Sequence, residues 1–254
     1  MLHETIRDTI RVKVYEDRAL MGAAAAGATT DTIRQLLMDQ PAVNIVFAAA
    51  PSQNEFLAAL SEQPIDWTRI NAFHMDEYIG REVDPTRTFA WYLKQHLFER
   101  TPALFATIHY LNGGAGDPVA ECQRYTALLR SFPTDLVCMG IGENNHIAFN
   151  DPPVADFNDP EMVKIVTLDP DCRQQQVNDG CFPSLKDVPE RALTLTIPAL
   201  MKSRYIFGVV PGERKATAIH HTLNEPVSAK YPSTILKTHA AVQLFLDRDS
   251  SKLL

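Results

Sequence analysis

Short apolar runs alternate with longer stretches of helical periodicity along the chain. Residues 16–40 carry apolar side chains three and four positions apart, as on the buried face of a long helix. Residues 43–50 form a nearly continuous apolar run, which is typical of a strand buried on both faces. The same reasoning predicts further strands at residues 69–74, 107–111, 136–139, 162–167, 192–197, 204–210 and 241–247. Helices are predicted at residues 52–60, 89–99 and 117–132, near Asp169, and from about Lys215 to residue 223.

This alternation predicts a parallel or mostly parallel sheet between two helical layers, an α/β fold of three layers. The 254 residues, 45% of them hydrophobic, suffice for one sizeable core, so residues 1–254 are expected to form a single domain. No internal repeat or low-complexity segment interrupts the pattern.

Charge and composition narrow the classes of partner. The formal net charge is -7 and no block of lysine or arginine occurs, which argues against a nucleic-acid groove or an anionic membrane surface. No run approaches the about 18 apolar residues that span a bilayer, and residues 1–13 are too polar for a signal peptide. The four cysteines form no Cys-x-x-Cys pair, so reduced thiols and a cytoplasmic location are expected.

A polar cluster follows the predicted strand at residues 136–139. Gly140 and Gly142 break the strand, and Glu143 to Asp151 then places acidic, amide and histidine side chains within nine positions. The carboxyl ends of parallel strands are where open α/β sheets bind ligands, because loops there hold polar groups on a rigid frame. His146 taken alone could equally be a histidine that a backbone group satisfies.

Two further strand ends carry candidate chemistry. Pro51 stops one strand, and Ser52 to Glu55 has the spacing of a capping box at a helix N-terminus, a place that favours an anion. Asp76 lies just past the next strand, where it could act on a ligand or only cap a turn. Lys215 is predicted in the first turn of a helix that follows a strand. A cation there opposes the helix dipole, so this position favours a lysine held near a bound anion.

Two segments together resemble the glucosamine-6-phosphate deaminase/isomerase family. They are N-A-F-H-M-D-E-Y-I-G at residues 71–80 and G-I-G-E-N-N-H-I-A-F-N-D-P at residues 140–152. The resemblance implies a modified doubly wound, Rossmann-like α/β fold. It also implies conversion of an amino-sugar phosphate, such as glucosamine 6-phosphate, to fructose 6-phosphate and ammonia, without a metal or organic cofactor. Such proteins are often oligomeric, so a homo-oligomer is expected.

The resemblance also suggests roles for individual residues. His146 would open the sugar ring as an acid/base group, and Asp76 would move the C2 proton to C1. Asn144 and Asp151 flank His146 where the family has an aspartate and a glutamate; an amide orients an imidazole but does not stabilise its charged form as an anion does. The candidate substrate-binding residues are Ser52, Gln53, Gly140 and Lys215.

The phosphate loop departs from the family pattern. Relatives carry T-G-G-T or T-G-S-T where this chain has A-A-P-S at residues 49–52, so proline removes one N–H donor while Ser52 keeps a hydroxyl. An arginine that relatives use on the phosphate has no clear counterpart in residues 173–180, where Arg173 is the available candidate.

Three alternatives stay open at this point. A hydrolase like 6-phosphogluconolactonase would share the fold, but those enzymes usually have D-E-R at residues 76–78 and T-A-S-L-F-P after the histidine. A non-catalytic sugar-phosphate sensor would explain the Asn144 change. A metal enzyme is least favoured, because no histidine pair has metal-ligand spacing on one helix face. The sugar could be gluco, galacto or without an amine.

Overall fold

The computed structural model describes all 254 residues. The strands are β1 (His3–Arg7), β2 (Ile10–Tyr15), β3 (Val43–Phe47), β4 (Ile70–His74), β5 (Asp76–Tyr78), β6 (Thr107–His109), β7 (Leu136–Met139), β8 (Val163–Thr167), β9 (Arg191–Leu195), β10 (Tyr205–Val210) and β11 (Val242–Asp247). The α-helices are α1 (Arg18–Asp39), α2 (Asn54–Ser61), α3 (Phe89–Leu93), α4 (Pro118–Ser131), α5 (Pro170–Asn178), α6 (Ile197–Met201) and α7 (Ala216–Asn224). None of these helices is both long enough and apolar enough to cross a bilayer.

Eight strands form the central sheet, in the order β1-β2-β11-β10-β7-β3-β4-β6. Every neighbouring pair in it is parallel except β1 with β2. A second, antiparallel sheet of three strands has the order β5-β9-β8. The predicted α/β class with a mostly parallel sheet is therefore confirmed.

Alternate residues of each central strand enter two cores on opposite faces of the sheet. In β7, Leu136 and Cys138 belong to one core and Val137 and Met139 to the other. The first core contains the buried faces of α1, α2 and α3, and the second those of α4, α6 and α7. Both faces of the sheet are covered by helices, which accounts for the nearly continuous apolar runs in its strands.

The sequence-based prediction is wrong for the first 15 residues, where it places no strand. β1 pairs with β2 and extends the sheet at its edge. Four of the five residues of β1 are exposed, so their hydrophobic pattern carries no signal of a strand. β5 is also missing from the prediction, because a three-residue strand of polar composition has no readable period.

The predicted capping box at residues 52–55 does not form. Pro51–Gln53 is a 3₁₀ turn, α2 begins at Asn54, and no side chain caps that helix. Glu55 instead pairs with Arg18, whose Nε and Nη2 lie 2.9 Å from its two carboxylate oxygens. Since Arg18 lies 37 positions away, the local spacing could not reveal this partner.

Candidate active site

A cleft opens along the carboxyl ends of four neighbouring strands, β10, β7, β3 and β4. Each strand delivers a wall of the cleft through the segment that follows it. The lining includes Ser52 and Gln53 after β3, Asp76 after β4, Gly140 and His146 after β7, and Lys215 after β10. The structure therefore brings six of the eight candidate residues to one cavity.

The two remaining candidates, Asn144 and Asp151, lie behind His146. His146 Nδ1 is 2.7 Å from Asn144 Oδ1 and 3.0 Å from Asp151 Oδ1. Both neighbours of Nδ1 are acceptors, so Nδ1 carries the hydrogen of the neutral ring. His146 Nε2 makes no hydrogen bond within the protein, and its lone pair is free to accept a proton.

Asn144 is oriented by its neighbours. Its Oδ1 faces the backbone N–H of His146 at 3.2 Å, and its Nδ2 donates to Asp151 Oδ1 at 3.0 Å. A flipped amide would set donor against donor and acceptor against acceptor. Burial works to raise the pKa of Asp151, but the charge of His146 and the hydrogen bonds from His146 and Asn144 outweigh it, so the pKa lies below its usual value. Asp151 thus supplies the negative charge that the amide lacks.

The loop that carries His146 is held in a constrained backbone conformation. Ala148, on the cleft wall, has φ +47° and Asn145 has φ +69°. Left-handed backbone at a residue other than glycine costs about 1–2 kcal/mol. Asn145 anchors the loop by donating to the carbonyl of Ala218 at 2.7 Å and to Ser233 Oγ at 2.9 Å.

Gly142 leaves the space in which the His146 ring lies. A Cβ at this position would overlap three atoms of the ring. We expect Gly142→Ala to fold but to lose about 10²-fold or more in kcat, since displacing His146 removes an acid/base group. The measurement is steady-state turnover together with the thermal unfolding midpoint. Gly27→Ala, on α1 with open space around its Cβ position, is the matched control, and unchanged turnover in Gly142→Ala would contradict the assignment.

Asp76 also lines the cleft. It is the first residue of β5, pairs with Thr194 of β9, and is 8% exposed. Its carboxylate accepts no hydrogen bond from the protein. Burial, with the nearby charges of Glu77 and Asp151, raises the pKa of Asp76 well above its usual value. Such a carboxylate is a stronger base than one in water.

Two buried neighbours fix the backbone around Asp76. His74 Nδ1 lies 2.9 Å from the carbonyl of Asp76, and His74 Nε2 accepts from the N–H of Leu111 at 2.9 Å. Burial lowers the pKa of His74 to about 4, so the ring is neutral and donates through Nδ1. Glu77 accepts from the N–H groups of Phe89 and Ala90 at 3.1 and 2.9 Å and holds the start of α3 against the cleft.

The end of the cleft near Ser52 suits an anion. The backbone N–H groups of Ala49, Ala50 and Ser52 make no hydrogen bond within the protein. The Lys215 ammonium is 7% exposed and has no hydrogen-bond or ion-pair partner. Burial lowers the pKa of Lys215 although Asp179 and Glu143 oppose the effect. An unpaired cation beside free N–H donors favours a phosphate.

Gln53 and Gly140 complete this end of the cleft. Gln53 Nε2 donates to Ser52 Oγ at 3.1 Å and to the carbonyl of Val209 at 3.0 Å, which fixes the Ser52 hydroxyl and ties the loop to β10. A Cβ on Gly140 would lie 3.2 Å from this amide, so glycine allows the close approach. Gln53 is therefore placed behind the loop and orients Ser52.

Arg173 is not available to a phosphate. Its Nη2 donates to the carbonyls of Leu185 and Val188 at 2.9 and 2.8 Å, and it does not line the cleft. Arg18 and Arg214 line a polar cavity that shares Ser52 and Lys215 with the cleft. Arg18 is paired with Glu55, and Arg214 Nη2 lies 2.7 Å from Asp179 Oδ1.

One group of side chains has the composition of a metal site. His146, Asp151 and Cys172 place potential ligand atoms within 4.8 Å of one another. Two of them already contact each other, and burial raises the pKa of Cys172 well above its usual value, which keeps the thiol protonated. A hydrogen-bonded cluster accounts for these contacts.

The sequence alone misses one wall of the cleft. Gln175 and Gln176 of α5 line it, together with Phe89 of α3 and Phe149. The unusually amide-rich segment at residues 169–180 is the only signal of the two glutamines in the sequence. Gln175 Oε1 accepts from the N–H of Glu143 at 2.9 Å, so α5 also braces the loop after β7.

Comparison with known proteins gives a consistent set of relatives. The model of the family described as glucosamine-6-phosphate isomerases/6-phosphogluconolactonase matches residues 16–245. A glucosamine-6-phosphate deaminase of Geobacillus sp. (strain WCH70) is 36% identical over 188 residues, which are 74% of this chain and 73% of the relative. That of Halothermothrix orenii is 30% identical over 250 residues, 96% of this chain and 100% of the relative.

Solved structures agree with these relatives. A monomeric glucosamine-6-phosphate deaminase superposes with a TM-score of 0.87 at 29% identity, covering 96% of this chain and 99% of the other. The 6-phosphogluconolactonase of Thermotoga maritima gives a TM-score of 0.75 at 20% identity, covering 93% and 99% of the two chains. At this identity, the likeness to the lactonase shows a shared fold only.

Proposed function

Because the chain belongs to the glucosamine-6-phosphate isomerase/6-phosphogluconolactonase family, we propose that it converts an amino-sugar phosphate such as glucosamine 6-phosphate to the ketose phosphate and ammonia. The observation that carries this proposal is that one cleft is lined by a free carboxylate, Asp76, a free imidazole nitrogen, His146 Nε2, and the unpaired Lys215. Relatives that cover most of the chain are named glucosamine-6-phosphate deaminases.

The first step is opening of the sugar ring. His146 Nε2 accepts the proton of the anomeric hydroxyl and returns a proton to the ring oxygen, while Nδ1 stays bonded to Asn144 and Asp151. The imidazolium that forms in passing is stabilised by the Asp151 carboxylate. Asn144 fixes the plane of the ring by a short hydrogen bond.

The second step is isomerisation of the open chain. Asp76 takes the proton from C2 of the aminoaldose and returns it to C1. The C1 oxygen gains the proton that the amine nitrogen loses, which leaves a hydroxyl at C1 and a C=N bond at C2. Water adds to that carbon and ammonia departs, so that amino-sugar phosphate and water give ketose phosphate and ammonia. Neither step consumes a redox partner.

Binding of the substrate phosphate is assigned to other residues of the same cleft. Lys215 and the N–H groups of Ala49, Ala50 and Ser52 would hold the phosphate, with the Ser52 hydroxyl oriented by Gln53. Proline at position 51 removes one donor from this loop, and the free ammonium compensates with a charge.

The phosphate should bind more weakly as pH rises, because Lys215 must be charged. Its pKa is lowered from 10.5, so the ammonium is present below that lowered pKa and lost above it. We expect the Kd of a hexitol 6-phosphate, measured by calorimetry, to increase from a pH below 10.5. Lys215→Met should raise Kd about 10- to 100-fold at pH 7 and abolish the pH dependence.

The control for this experiment is Lys202→Met. Lys202 is exposed and precedes β10, so it lies near the amino end of that strand, away from the cleft at the carboxyl ends. It should bind as the unaltered protein does. An affinity that stays constant to pH 10.5 in the unaltered protein would remove Lys215 from the phosphate site.

The proposed activity is tested by separate incubation with glucosamine 6-phosphate, galactosamine 6-phosphate and 6-phosphogluconolactone. Ammonia with an equal amount of ketose phosphate is the expected result, and it names the sugar. Acid release from the lactone would favour the hydrolase, whose representatives share the fold. Binding without any product would favour a sensor.

A homo-oligomer remains a prediction from the resemblance, and a single domain over residues 1–254 remains a prediction from length and composition. The structural relative with a TM-score of 0.87 is described as monomeric. Six of the predicted residues line a cleft formed within a single chain.

A further inference from the structure

Gln176 on α5 lines the cleft together with Asp76 and His146 but has no part in the steps above. Its side chain is 8% exposed. The neighbouring Gln174, two positions earlier on the same helix, is exposed and donates to Asn178 Oδ1 at 3.0 Å. The helix therefore presents Gln176 to the cleft and Gln174 to solvent.

The side-chain amide of Gln176 has a hydrogen-bond partner for its oxygen but none for its nitrogen. Its Oε1 accepts from the hydroxyl of Tyr78 at 3.0 Å. Its Nε2 donates to no atom of the protein. This nitrogen is also not one of the fully buried polar atoms, so it is accessible. The nitrogen therefore opens on the cleft, with two hydrogens that have no acceptor in the protein.

Tyr78 sets this orientation. Its ring is 2% exposed and packs against Phe89 at 4.8 Å and Phe149 at 5.7 Å between ring centroids. Burial raises the pKa of Tyr78, so the hydroxyl keeps its proton and donates. Because the donor is rigid, the amide oxygen must face Tyr78 and the amide nitrogen must face the cleft.

A donor held in this way requires an acceptor from the ligand or from water. A buried donor that is left unsatisfied is unfavourable. In the proposed function Lys215 binds the phosphate at C6 and Asp76 and His146 act on C1 and C2, so these residues define two ends of the bound substrate. A six-carbon chain that joins these two ends leaves the C3 and C4 hydroxyls for the walls between them.

We propose that Gln176 determines sugar specificity by donating a hydrogen bond from Nε2 to the C3 or C4 hydroxyl of the bound sugar phosphate. The inference rests on the proposed function for the direction in which the substrate lies. A site built to bond a hydroxyl discriminates against an analogue that lacks it, because its own polar group is then left unpaired. Gln176 would thus separate sugars that differ at that carbon.

The test is a cycle of protein variants and ligands, measured as binding by calorimetry. The ligands are an open-chain hexitol 6-phosphate and its 3-deoxy and 4-deoxy forms, which cannot react. We expect one deoxy form to bind the unaltered protein about 10- to 100-fold more weakly than the parent. Gln176→Met should weaken the parent by a similar factor and bind that deoxy form no more weakly than the parent.

Two further variants separate this role from a structural one. Gln174→Met should show the full discrimination of the unaltered protein. Tyr78→Phe, which frees the amide to rotate, should lose part of it. A deoxy penalty that is equally large in Gln176→Met, or two deoxy forms that bind the unaltered protein as the parent does, would overturn the proposal.

Binding is read without turnover, so the two proposals fail in different ways. Discrimination lost in Gln176→Met but no ammonia from any amino sugar would leave Gln176 as a specificity residue and reject the deaminase. Ammonia release with no deoxy penalty would keep the deaminase and reject the role of Gln176. If no hexitol 6-phosphate binds, both are rejected.

Discussion

Asp76→Asn should stop the isomerisation while substrate binding is kept. The amide cannot take the C2 proton, and loss of a general base costs about 10²–10⁴-fold in rate. Asparagine has nearly the same shape, and the carboxylate accepts no hydrogen bond from the protein, so the fold should tolerate the change. The measurement is exchange of the C2 hydrogen with solvent deuterium by NMR, beside the Kd of the hexitol 6-phosphate.

The pH dependence of the unaltered protein offers a second reading of the same residue. Asp76 must be ionised to act as a base, and its raised pKa moves ionisation well above the usual range of aspartate. The rate should therefore be lost as pH falls through that raised pKa. Normal exchange in Asp76→Asn would remove Asp76 from the reaction.

Asp135→Asn is the matched control for Asp76→Asn. Asp135 is also a buried aspartate, 7% exposed, but it precedes β7 at the opposite edge of the sheet and accepts from the N–H of Asn44 at 2.9 Å. Its substitution should lower the thermal midpoint without changing exchange. A loss of exchange in this variant would mean that neutralising any buried aspartate disturbs the site.

His146→Gln should slow the release of ammonia from the ring-closed substrate by about 10²–10⁴-fold. The same variant should bind the hexitol 6-phosphate normally, because that ligand has no ring to open. The measurement is ammonia release with glucosamine 6-phosphate, compared with calorimetric affinity. His220→Gln, on the exposed side of α7, should match the unaltered protein in both.

Full activity in His146→Gln would contradict its role in ring opening. An equal loss of rate and of hexitol affinity would instead indicate that His146 shapes the cleft, since a group that acts only in the reaction leaves binding unchanged.

Much of the fold follows from local pattern. The strands that enter the two cores are apolar at nearly every position, so β3, β7 and β10 are readable without the structure. The Asp117 and Asp169 caps are also local, since each accepts from backbone N–H groups within the next three residues. The predicted helix at residues 89–99 changes character, because α3 ends at Leu93 and continues as a π-helix over Lys94–Phe98.

The residues of the candidate site that belong to sequence motifs were predictable. Those that are positioned by contacts with distant parts of the chain were not. Asp76 and His146 stand at strand ends that the pattern identifies. Gln176 is an ordinary polar helix residue until the ring of Tyr78, 98 positions away, turns its amide toward the cleft. The true partner of Glu55 was likewise out of reach of any local rule.

The antiparallel sheet of β5, β9 and β8 supports the two residues that are proposed to react, Asp76 and His146. Asp76 belongs to β5, and the loop of His146 is tied to β9, where Thr194 Oγ1 accepts from the N–H of Phe149 at 3.0 Å. All four residues, including Ser52 and Lys215, follow strands of the large sheet. Substitutions in the packing of the small sheet should therefore change the turnover of the substrate more than its affinity, and a descendant of this protein could change its turnover by this route.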